Sequence, residues 1–174
     1  MKRLNTLAIF VAILALAAPA AFGQFAATGT TTLSLTVGPE AALSVTDVTT
    51  PLTTAAGGLF ADYVGTTNFT YKIRTTRVDG TGSITAQVTT PFGAGGPSVA
   101  AGDLTYNCTV AAPGTGCAST VTAATSETNV AGFGANARSA RAGNSGSVAW
   151  SLVNDPQYET GSYTAVVTFS ISAI

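Results

Sequence analysis

The chain has 174 residues, of which only 9% are charged, and its formal net charge is −1; soluble domains ordinarily carry roughly 25% charged residues. It contains no histidine, which excludes a Ser-His-Asp triad, a Cys-His pair and a histidine-based zinc helix. Its basic residues form no patch beyond Lys72-Ile73-Arg74, so nucleic acid is excluded as a partner.

The chain opens on Met1-Lys2-Arg3, a short basic start. Leu4 to Ala18 is almost wholly apolar, and Pro19-Ala20-Ala21-Phe22-Gly23 then offers small residues before Gln24. These are the parts of a secretory signal peptide over residues 1–23, too short in its apolar run for a membrane span. The expected mature part, residues 24–174, is roughly 150 residues long, enough for a single domain with a real core. Its expected place is outside the cytoplasm, with the periplasm in transit and then the cell surface or the medium. Once Lys2 and Arg3 are removed, Lys72, Arg74, Arg77, Arg138 and Arg141 stand against eight acidic residues.

From there the apolar residues recur with a period of two. Leu33, Leu35 and Val37 alternate with Ser34 and Thr36. Phe69, Tyr71 and Ile73 follow the same rule, as do Ile84, Ala86 and Val88. Leu104, Tyr106, Cys108 and Val110 continue it, then Val148, Trp150 and Leu152, and finally Tyr163 through Ile171. Alternation of this kind predicts strands with one face on a core and one toward water. Shorter candidates are Leu43 to Thr49, Leu59 to Val64 and Thr120 to Thr125. No helical period follows the signal peptide. Between the strands, Asp79-Gly80-Thr81-Gly82 reads as a hairpin turn, Gly93 to Pro97 as a loop, and Gly132 to Gly146 as a long mobile loop. Eight or nine short strands spaced by turns predict an all-β fold, an immunoglobulin-like or jelly-roll β-sandwich in one domain.

Cys108 and Cys117 are the only cysteines. In an exported chain they are expected to form one disulfide, which would pin a hairpin and stabilise it by about 2–3 kcal/mol. The acidic residues are scattered and sit mostly beside turns, where their backbone preferences place them. No pair of them marks a glycosidase, and no metal ligand set or cofactor site is legible. Gly132-Phe133-Gly134-Ala135-Asn136-Ala137 matches a dinucleotide-binding pattern but lacks the strand and helix that the pattern needs. Trp150 is in phase with Val148 and Leu152, which reads as a core position; the other reading is a sugar-stacking platform.

Two segments resemble bacterial pilin-type subunits of the chaperone–usher world, including the spore coat protein U-like relatives. One is Thr30-Thr31-Thr32-Leu33-Ser34-Leu35-Thr36-Val37-Gly38-Pro39, followed by Ala42-Leu43-Ser44-Val45. The other is the chain end, Gly161-Ser162-Tyr163 through Ile171. The resemblance implies a sandwich that lacks one strand and is completed by a strand from the next subunit. Leu33, Leu35 and Val37 would be the inserted side chains. It implies a non-enzymatic subunit of a fibre or coat, with copies of itself or other surface subunits as partners. A periplasmic chaperone and an outer-membrane usher would assist its assembly. The alternative is a monomeric surface module that binds glycan or matrix, in which the same strand completes its own domain.

Overall fold

The computed structural model describes residues 28–174, so the signal-peptide reading over residues 1–23 lies outside the described residues. Residues 36–174 form one compact unit. Ten strands follow one another: β1 (Glu40–Val45), β2 (Thr53–Thr54), β3 (Tyr63–Arg74), β4 (Gly82–Thr90), β5 (Leu104–Val110), β6 (Thr115–Gly116), β7 (Val121–Thr122), β8 (Thr128–Phe133), β9 (Asn144–Leu152) and β10 (Val166–Ala173). No helix occurs among the described residues.

The strands form two antiparallel sheets. The first runs β1-β3-β9-β5-β7, with β2 pairing β3 beyond β1; the second runs β10-β4-β8-β6. Packed face to face, they make a β-sandwich, as the period-two pattern predicts. The inward residues are those of the alternation. Phe69, Tyr71, Ile84, Tyr106, Val130 and Val148 are fully buried, and Trp150 and Leu152 are nearly so. The outward residues of β3, β5 and β9 are mostly short and polar, among them Thr66, Asn68, Thr70, Thr105, Asn107, Thr109, Ser145, Ser147 and Ser151, with Val64, Lys72 and Ala149 also outward.

Two of these expectations need correction, and one strand falls outside them. Asp79-Gly80 does not close a hairpin, because β3 and β4 belong to different sheets; the turn carries the chain across the sandwich. Asp79 takes a positive φ of 56°, and a Cβ on Gly80 would collide with the Thr76 backbone, so a tight turn does stand at these residues. The loop expected from Gly132 to Gly146 is shorter, from 134 to 143, and it is tied down. Ala137 is buried and accepts from the Thr75 amide, Ser139 bonds the Ile73 backbone, and Arg138 bridges Arg74. Strand β8 escapes sequence reading because a bulge in its pairing with β4 puts Val130 and Ala131 side by side in the core, which breaks the alternation.

The sandwich has two ends. At the lower end β3 and β10 finish, and β1, β4 and β9 begin; at the upper end β9 finishes and β3 and β5 begin.

Candidate functional site

The two lateral sides of the sandwich differ. On one side the outermost strands, β7 and β6, are two residues each. There Cys108 on β5 and Cys117 just after β6 lie at disulfide distance, with Cα atoms 5.2 Å apart, so the bridge spans the two sheets. Gly116 permits the approach, since a Cβ there would strike the Cys108 carbonyl oxygen at 2.7 Å. Short strands and a covalent staple blunt this side.

The other side keeps its strand edges open, although β1 and β10 themselves come within 8 Å of each other between Cα atoms. Its outermost strands are β1 in one sheet and β10 in the other. Among the described residues β1 pairs with β3, β10 pairs with β4, and each presents its second edge to no strand. Both edges are long, at six and eight residues. The inward residues of these strands are Ala41, Leu43 and Val45 on β1, and Val167, Phe169, Ile171 and Ala173 on β10. All are half-buried. On β4, the neighbour of β10, the equivalent residues Ile84, Ala86 and Val88 are at most 2% exposed. The apolar layer therefore reaches this side with its outermost residues partly exposed. Phe169 is its floor, with ring centroids 6.1 Å from Phe69 and 6.4 Å from Trp150.

Leu33, Leu35 and Val37 lie before β1 in no strand, 92%, 86% and 57% exposed. The period-two reading of this stretch thus finds no strand within the described chain. Residues 36–39 leave the sandwich at its lower end, where Arg74 Nε donates to the Gly38 carbonyl at 2.7 Å and Arg74 Nη2 meets Glu40 at 3.0 Å. Trp150 is 6% exposed, its Nε1 donating to Thr67 Oγ1 at 2.9 Å, so it offers no platform to a sugar.

At the upper end, Tyr158 donates to Asp103 Oδ2 at 2.7 Å. Its phenol is pushed above the ordinary range by desolvation, then by the bond to Asp103 and the charges of Asp103, Asp155 and Asp62. No set of acidic or sulfur ligands suited to a metal ion occurs among the described residues.

Comparison with protein-family models, curated proteins and solved structures finds no match to this chain.

Proposed function

We propose that this protein is a secreted structural subunit of a cell-surface fibre or coat, assembled by β-strand complementation between copies. The observation that supports it is the open side: two unpaired edges facing an apolar layer that β1 and β10 leave half-covered. Such a side offers backbone donors and acceptors together with pockets for alternate side chains, the two things an added strand needs. Strand β1 runs antiparallel to β3, and β4 reverses β3 across the sandwich while β10 reverses β4. Hence β1 and β10 run in opposite directions. Strands β1 and β10 come within 8 Å of each other between Cα atoms, less than two strand spacings, so an added segment pairs along the free edge of one of them.

The donor is the stretch before β1. Leu33, Leu35 and Val37 alternate with hydroxylated residues and are exposed. Extended, residues 28–37 span about 33 Å, sufficient for the roughly 27 Å of β10. Pro39 sets Gly38 toward an extended conformation. Export through a periplasmic chaperone and an outer-membrane usher belongs to this reading, since an open apolar side needs cover before assembly. In this reading the protein does no catalysis.

The test uses a chain lacking residues 24–37 and a synthetic peptide of residues 28–39. The truncated chain is expected to take up the peptide and gain thermal stability, while being unable to polymerise. A Leu35→Asp peptide, which would bury an unpaired carboxylate, is expected to bind at least tenfold more weakly. A full-length protein that stays monomeric at every concentration, with no peptide uptake after truncation, would overturn the proposal.

A further inference from the structure

The charges of this chain are sorted by end. Lys72 and Arg74 close β3, Arg77 sits in the β3–β4 turn, and Arg138 and Arg141 lie in the 134–143 loop. All the basic residues of the described chain are therefore at the lower end, with only Glu40 and Asp79 among them. Asp62 precedes β3, Asp103 precedes β5, and Asp155 and Glu159 follow β9. These are at the upper end, which has no basic residue. Asp47, bonded to Asn68, and Glu127, ahead of β8, lie between. Lys72, Arg77, Arg138, Arg141, Asp62 and Glu159 are exposed. Strand β3, twelve residues long, separates the two groups by roughly 40 Å. That is well beyond the Debye length of about 10 Å at 0.1 M salt, so the ends do not neutralise each other within one molecule.

We infer that the partner of each end is the opposite end of a second copy, the basic lower end of one subunit docking on the acidic upper end of the next. Two features favour this over a side-by-side pair. The charges sit in end loops and end residues of strands, while the sheet faces between carry short neutral side chains. Residues 36–39 also leave the sandwich at the basic end. With copies stacked end to end, that segment points to the upper mouth of the neighbour's open side. The contact is head-to-tail and non-closing, so it propagates. Charge of this kind acts mainly on the rate and direction of encounter. It stands apart from strand donation, which supplies the lasting contact in the proposed assembly.

Sedimentation and light scattering of the purified chain at about 0.01 M and about 0.3 M salt read the attraction directly, since the Debye length falls severalfold between them. The expected result is self-attraction at low salt that is lost at high salt. Arg77→Glu with Arg141→Glu should remove it, as should Asp62→Lys with Glu159→Lys. A mixture of the two double variants should regain it, because acidic ends then meet basic ones. Thermal unfolding checks that each variant is folded, and the salt dependence of the unaltered chain stands without them. Attraction indifferent to salt, a mixture no stickier than its components, or association that stops at a closed dimer would overturn the inference. Uptake of the 28–39 peptide reports the groove separately. Lost uptake with the end-to-end attraction intact sinks strand donation alone.

Discussion

Trp150 and Thr67 form the polar knot of an otherwise apolar core. The indole N–H needs a partner once buried, and Thr67 Oγ1 provides it while also sharing a 2.6 Å bond with Thr50. The ring stands edge-on to Tyr106 at 5.1 Å. Trp150→Ala is expected to lower stability by about 3–5 kcal/mol, through lost burial and the cavity left behind. Chemical denaturation measures it, and a blue-shifted emission in the unaltered protein checks the burial. The tyrosines carry a pH dependence. Tyr71, Tyr106 and Tyr158 all have pKa values raised above 10.0, chiefly by desolvation. The folded state holds protons that the unfolded chain releases. Stability is therefore full below pH 10 and falls as the pH climbs beyond it. Thermal melts from pH 8 to 11 should show the fall, with no matching loss between pH 7 and 9.

At the scale of elements, the two lateral sides show opposite treatments of the edge problem. Edges β6 and β7 are short and stapled; edges β1 and β10 are long and bare. The bridge closes a loop of nine residues' separation. Replacing both Cys108 and Cys117 by Ala is expected to cost about 2–3 kcal/mol and leave the fold intact, read by denaturation of the oxidised protein and the double variant. The open side makes a different demand. Phe169→Ala should weaken uptake of the 28–39 peptide more than it weakens the fold, because Phe169 is half-buried in the free subunit and becomes covered when a strand lies over it. Titration of the peptide against a truncated Phe169→Ala chain tests this. Unchanged affinity would place the peptide elsewhere. The strands themselves were legible because alternation is local. Residues Phe69 to Ile73, Ile84 to Val88 and Val148 to Leu152 lie in strands as their alternation predicts, and the last strand begins at Val166, later than the Tyr163 its pattern suggests. Strand β8 was not read, since its bulge is defined by pairing with β4.

At the scale of the molecule, everything that depends on neighbours in the chain is legible from local pattern. The period of two fixed an all-β fold, the even pair of nearby cysteines pointed to a bridge, and the absence of histidine removed whole classes of chemistry. Tertiary structure alone decided which strands are outermost, because strand order is a matter of pairing between distant segments. Alternation looks the same in the central β4 and in the edge β10, yet Ala86 is 2% exposed and Phe169 is left half-covered. The open side follows from that order and has no signature of its own in the residues. The sorting of charge is likewise invisible along the chain. Arg77 and Asp79 are neighbours in sequence and share the lower end, whereas Arg74 and Arg138 are far apart in sequence and meet only because β3 and the 134–143 loop bridge each other. Local chemistry chooses the kind of element, and the long-range pairing of backbones chooses which of its faces and edges remain for another molecule.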